Sequence, residues 1–190
     1  MASDVDICNS ALNALGASNI ISLTEDSKAA RLCNQRYTFV RDSVFRNHPW
    51  NCLIQRTSLA QDADAPAFQF AFSYTLPADP FCLRVLDVEN EELGSIVYVI
   101  EGRKLLTDES AINLRYVGLV TDPNQYDALL IETLAAALAS ELAYPIANSN
   151  ALQTQMYQLY LEKLRAARYV DATEGIADRI LATDFTDARL

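Results

Sequence analysis

Histidine is almost missing from this chain: His48 is the only one in 190 residues. That excludes His-based metal clusters and leaves little room for a His-centred catalytic group. His48 precedes Pro49 at a helix end, where a capping or solvent-facing role is expected. Lysine is scarce as well. Lys28, Lys104 and Lys163 stand against twelve arginines. Arginine makes planar, two-pronged contacts with carboxylates, so the bias suits protein interfaces; compositional drift would produce it equally well. Glycine and proline number only 5 and 6, too few for a fibrous or wholly disordered chain. There is no GxGxxG, no GxxxxGK[ST], no GxSxG and no CxxC. The N-terminus has neither a basic region nor an apolar run, so no signal peptide is expected. The most apolar stretch, Ala128–Ala143, contains Glu132 and Glu141 and falls short of the roughly 20 residues of a membrane span.

Acids outnumber bases 25 to 15, for a formal charge of −10 and an isoelectric point near 4.5. Such a surface repels bulk nucleic acid and anionic lipid, and excludes site-specific DNA binding. Apolar residues make up 51%, enough for a core without help from metal or disulfide. Cys8, Cys33, Cys52 and Cys82 are expected to be free thiols in a reducing compartment. The length predicts one domain, residues 1–172, with a C-terminal arm over 173–190.

Ser3 can cap a first helix, residues 4–16, with Cys8, Ala11, Leu12 and Leu15 on one stripe and Gly16 as its stop. Thr24 opens a second helix, 25–47, with Ala30, Cys33, Tyr37, Val40 and Val44 as its seam. Arg31, Arg36, Arg41 and Arg46 recur every five residues along it, a spacing that winds around the helix and makes no basic face. A small antiparallel sheet is expected over 68–120. Phe68, Phe70, Phe72 and Tyr74 would form an aromatic strand, followed by Leu83–Val88, a hairpin around Glu101-Gly102-Arg103, and Ile112–Val120. Asp122-Pro123 signals a third helix, 123–146, rich in leucine and alanine. Asn148 or Ser149 caps a fourth, 149–171, with Leu152, Met156, Leu159, Tyr160 and Leu164 on its apolar face. The fold class is therefore α+β: mainly a helical bundle, a small antiparallel sheet insertion and an extended arm. The arm carries isolated apolar residues, Ile176, Ile180, Leu181, Phe185 and Leu190, and would order on a partner or simply fray.

No residue set marks a catalytic centre. Glu132 and Glu141 lie nine apart on one helix and point to opposite faces, so they cannot flank a shared substrate. The residues indicate a structural, non-enzymatic protein with no cofactor and no metal.

The residue pattern goes further. Ile7-Cys8-Asn9-Ser10-Ala11-Leu12 with Leu15-Gly16 resembles the opening of the tailed-phage head-to-tail adaptor proteins, also called connector or tail tubular protein A. The resemblance continues at His48-Pro49-Trp50, at Tyr74-Thr75-Leu76-Pro77-Ala78-Asp79 and Cys82-Leu83-Arg84-Val85-Leu86, and at Leu114-Arg115-Tyr116-Val117. It ends in Leu134–Pro145, Tyr160, Ala166-Ala167-Arg168 and Asp171-Ala172. It covers nearly the whole chain in order; Pro80-Phe81 departs from the more direct Asp-Cys-Leu run of the family. The resemblance implies a structural virion protein at the head-tail junction, assembled in the host cytoplasm. It implies a ring, twelve copies on the portal, between the portal protein and the tail nozzle or tube. Double-stranded DNA would pass through the lumen without sequence-specific binding, and no membrane is involved. In that setting Ile176, Ile180, Leu181, Phe185 and Leu190 would bind the portal. Arg84, Arg115 and Tyr116 would lie between subunits, although Arg84 could equally pair within its own chain. Two alternatives stand beside this: a peptidoglycan hydrolase activity, credited to some adaptors, and a generic cytosolic interaction module.

Overall fold

Local signals start and stop the helices. In α1 (Asp4–Ala14) the Ser3 hydroxyl accepts from the Asp6 N–H at 3.2 Å, and the Asp6 carboxylate accepts from the Ser3 N–H at 2.9 Å. Ser3 Oγ also donates to that carboxylate at 2.7 Å, and this bond, followed by the one from the Ser3 N–H, holds the Asp6 carboxyl below its usual range. At the other end Gly16 takes φ +68°, and the Ala17 N–H closes onto the Leu12 carbonyl at 3.0 Å. A Cβ at Gly16 would meet nothing within 4 Å. Gly16→Ala is thus expected to cost only the left-handed backbone penalty, about 1 kcal/mol in a denaturant titration.

The computed structural model of the chain describes residues 2–90 and 94–174. Its remaining helices are α2 (Lys28–Asn47), α3 (Ala128–Ala147) and α4 (Asn150–Thr173). Several starts and ends differ from expectation. α2 begins after Ser27, whose hydroxyl accepts from the Ala30 N–H at 3.1 Å. Glu25 is occupied elsewhere, accepting from the Ile21 N–H at 2.8 Å. Asp122-Pro123 opens only a 3-10 turn, Pro123–Gln125; Asp127 caps α3 through the Leu129 N–H at 2.8 Å. Pro145 lies inside the last turns of α3, which runs on to Ala147. Ser149, one of the two caps expected, caps α4.

α3 is the hub, packed against α1, α2 and α4. Leu130, Leu134, Leu138 and Leu142 are buried along it, and Ala135, Ala136, Ala137, Ala139 and Ala143 let neighbours approach closely. Its 20 residues are long and apolar enough to cross a membrane, contrary to the expectation that the stretch is too short. Here 61% of that window is buried against the protein's own helices, which accounts for its apolarity.

Strands are more numerous than the sequence suggests. The seven described are β1 (Ile54–Leu59), β2 (Phe72–Thr75), β3 (Cys82–Asn90), β4 (Gly94–Ser95), β5 (Val99–Glu101), β6 (Lys104–Thr107) and β7 (Ile112–Gly118). They form two antiparallel sheets, ordered β1-β7-β3-β4 and β2-β6-β5. β1, which pairs Ile54 with Val117 through Leu59 with Ile112, lies upstream of the expected insertion. The expected aromatic strand is reduced to Phe72–Thr75. Gln69 adopts φ +77°, which breaks the alternation, and the partner β6 has only four residues to offer. Phe68 is therefore exposed. The Pro80-Phe81 departure is a tight turn: Asp79–Pro80 is cis, and Ala78 bridges to Phe81.

The fold has two apolar cores, and β7 borders both. Val117 joins the helical core with Trp50, Leu53, Leu130 and Leu138. Leu114 and Tyr116, on the other face, join Tyr74, Leu76, Val88 and Leu105 between the sheets. Asp62 ties the connecting loop to the smaller sheet. It accepts from Ser73 Oγ at 2.8 Å and Thr75 Oγ1 at 2.9 Å, with Lys104 Nζ at 3.1 Å. Chiefly through Ser73, its carboxyl is held below the usual range. The sign follows: this stabilisation is complete above the unfolded carboxyl's pKa of about 4 and is lost as pH falls through the lower folded value. Asp62→Asn is expected to flatten the acid limb of the stability-pH curve.

Candidate functional site

Among the described residues of this acidic protein, three arginines line one hollow. A cleft of about 490 Å3 is lined by Arg46, Arg84 and Arg103 over Leu76, Phe81, Val85 and Ile100, with no carboxylate in its wall. Three separate elements bring the guanidiniums together. Arg46, in the last turn of α2, donates to the Leu83 carbonyl, one residue before Arg84 on β3. Arg103, in the β5–β6 turn, donates to the carbonyls of Cys82 at 2.9 Å and Leu76 at 3.2 Å, and also to that of Pro77. Its guanidinium lies 3.9 Å from the Phe81 ring centroid, a cation–π stack. Arg103 is thus a fixed charge that also clamps the β2–β3 connection. Arg84 is exposed and, among the described residues, has no hydrogen-bond or ion-pair partner. Of the two readings left open for Arg84, pairing within its own chain does not occur among these residues.

A second polar surface covers the outer face of the larger sheet. Arg115 on β7 sits across from Arg56 on β1, with Asp87 on β3 3.7 Å away. Arg115 Nε is buried and unpartnered. Thr57, Ser58, Glu89 and Asn113 complete this shallow depression of about 350 Å3. Tyr116 is not part of it. The pleat turns Tyr116 to the opposite face, where it is 2% exposed and its hydroxyl lies 3.4 Å from the Pro80 carbonyl. The three residues expected between subunits therefore fall into three settings: Arg84 in the cleft, Arg115 on the sheet face and Tyr116 in the core. Ile176, Ile180, Leu181, Phe185 and Leu190 lie outside the described residues.

The sequence reading missed a polar latch between the ends of α2 and α4. His48 Nε2 and Asp171 Oδ2 are 2.9 Å apart. The other Asp171 oxygen accepts from the Asn51 N–H at 3.0 Å, and the Asn51 amide donates to the Asp171 carbonyl at 2.7 Å. Arg168 donates to the side chain and carbonyl of Asn47, at 2.6 and 3.0 Å. His48 stands at the C-cap of α2, as expected, but its ring, 16% exposed, is turned to Asp171 rather than to solvent and serves a joint between helices. A similar device fixes α1: the Asn9 amide spans the Ile20 N–H and carbonyl at 2.8 and 2.9 Å.

All four cysteines are free thiols. Contact with Cys33, then burial, pushes the Cys8 thiol well up, and burial raises Cys52 and Cys82. Glu132 pairs with Lys163, and Glu141 with Arg36 at 2.8 Å. Among the described residues no three His, Cys, Asp or Glu converge on a metal-sized site. The second-helix arginines confirm the winding series: Arg31 pairs with Asp26, Arg36 with Glu141, the buried Arg41 with Asp42, and Arg46 reaches β3. No family model matches the chain, and no curated protein matches it.

Proposed function

We propose that the chain is a head-to-tail adaptor of a tailed phage, a ring-forming structural protein between the portal and the tail nozzle or tube. The observation that carries this is the ordered set of adaptor-like residues along nearly the whole sequence. Several of them hold the chain's joints: Asn9 pins the loop after α1, and Trp50 donates to the Val44 carbonyl at 3.0 Å. Arg168 and Asp171 latch α4 onto the end of α2. A stiff subunit of this kind, a helical body with a sheet lobe and an arm, suits a load-bearing ring. Arg84 and Arg115 are the side chains offered to the neighbouring copy, with Tyr116 bracing β7 from beneath. The net charge of −10 favours a lumen through which DNA slides without being gripped. Residues 175–190 supply the apolar contacts to the portal.

Native mass spectrometry of the chain with the portal ring of the same genome tests the reading. Twelve copies bound per portal ring is the expected result. A stable monomer or dimer with no portal affinity would overturn it, and would make a cell-wall turbidity assay the next measurement. The arm is tested by ending the chain after Glu174, because a cut at Asp171 would also remove the buried latch. Losing the five apolar side chains of the arm, each contributing about 1.5–3 kcal/mol before ordering costs, is expected to weaken portal binding at least roughly 100-fold.

A further inference from the structure

We propose that, in the unassembled chain, the arginine cleft is the docking site of the chain's own residues 175–190. The inference does not rest on the adaptor reading, and its test needs no portal. Three observations carry it.

The first is charge. The cleft gathers Arg46, Arg84 and Arg103 with no carboxylate in its wall, in a chain with ten more acids than bases. Arg84 has all five donors free among the described residues, and Arg46 gives one donor to Leu83. Arginine forks match carboxylates in two-pronged pairs. Residues 175–190 carry three acids, Asp178, Asp184 and Asp187, the last two flanking Phe185, and two bases, Arg179 and Arg189, both outside the Asp184–Asp187 stretch.

The second is the apolar floor. Leu76, Phe81, Val85 and Ile100 line the same cleft, Arg103 stacks on Phe81, and Phe81 and Ile100 are each 42% exposed. A free phosphate or nucleic acid backbone would use the charge and leave that floor bare. The stretch Asp184-Phe185-Thr186-Asp187, an aromatic side chain between two acids, uses both.

The third is the tether. The last described helix does not end at a remote corner. Asp171 is bonded to His48 and Asn51, and His48 is two residues beyond Arg46. The last turn of α4 therefore lies against the end of α2 that supplies Arg46. Sixteen extended residues reach about 50 Å, far more than is needed. A short tether also holds its segment at an effective concentration of about a millimolar, so an intrinsic dissociation constant well below about a millimolar fills the site. In an adaptor, the portal or a neighbouring copy would then compete for the segment during assembly.

Hydrogen–deuterium exchange of the full chain, read by mass spectrometry over 175–190, tests this. The synthetic peptide of the same residues is the reference. In the full chain the segment is expected to exchange at least about fivefold more slowly than the peptide, at a rate independent of protein concentration. Arg84→Glu should return it to the peptide's rate, while Arg84→Lys keeps part of the protection and β3 amides stay as before. Arg84→Gln serves as a second variant if the reversed charge disturbs the fold. Peptide-like exchange in the unaltered chain would overturn the proposal. So would protection that survives both Arg84→Glu and Arg84→Gln. Protection that grows with concentration would assign the cleft to a second copy and overturn it as well.

Discussion

Trp50→Ala is expected to destabilise the fold by about 3–5 kcal/mol, a large part of the 5–15 kcal/mol that holds a typical domain together. Trp50 is fully buried in the helical core. Its ring stands edge-on to His48, with centroids 4.8 Å apart, and its Nε1–H donates to the Val44 carbonyl at 3.0 Å. The residue therefore does three things at once. It fills the space beneath the last turn of α2, it satisfies a carbonyl at that helix end, and it braces the His48 ring for its contact with Asp171. Alanine leaves a cavity and frees the Val44 carbonyl in a dry setting. The check is a urea or guanidinium titration, in which the midpoint falls at an unchanged slope. Trp50→Phe keeps most of the volume and loses the donor, so a smaller loss, about 1–2 kcal/mol, is expected. Equal losses for the two variants would show that the hydrogen bond outweighs the volume.

Asp171→Ala carries the second-largest expected effect, about 2–3 kcal/mol, because it leaves the His48 ring nitrogen and the Asn51 N–H unsatisfied in a part-buried setting. Asp171→Asn keeps a carbonyl acceptor for the Asn51 N–H and is expected to lose about 1 kcal/mol. A double-mutant cycle with His48→Ala should give a coupling energy of at least about 0.5 kcal/mol. The effect also decides how the arm is removed. A chain ending before Asp171 loses the latch as well as the arm, so lost portal binding could come from a loosened α4. A chain ending after Glu174 keeps the latch, and any lost binding then belongs to residues 175–190.

The helical body was largely legible, because its signals act over short distances. Ser3, Gly16 and Ser149 act on backbone groups within a few residues, and the apolar stripes of α1 and α2 became their buried faces. The sheets were less legible. β1 reads Ile-Gln-Arg-Thr-Ser-Leu, too polar to announce a strand, and it exists because β7 pairs with it. Conversely, the alternating aromatics from Phe68 have no partner strand before Phe72, so the pattern alone did not make a strand. Cap choice failed for a related reason. Both Asp122 and Asp127 can cap, and which one starts α3 depends on where the chain leaves β7. Tyr126, between them, is anchored through its hydroxyl to the Val120 carbonyl at 2.8 Å and edge-on to Phe45.

The sequence alone determined the mixed α+β class, the apolar seams of the helices and the acidic net charge. Each follows from composition or from periodicity along one element. Only the tertiary structure decided what Arg46, Arg84, Arg103, His48 and Asp171 do. His48 and Asp171 are 123 residues apart, and the three cleft arginines come from a helix end, a strand and a turn. Nothing local brings such side chains together. Their meeting is set by α3 drawing α2 and α4 into one core, and by β7 carrying the larger sheet across from that core to the other.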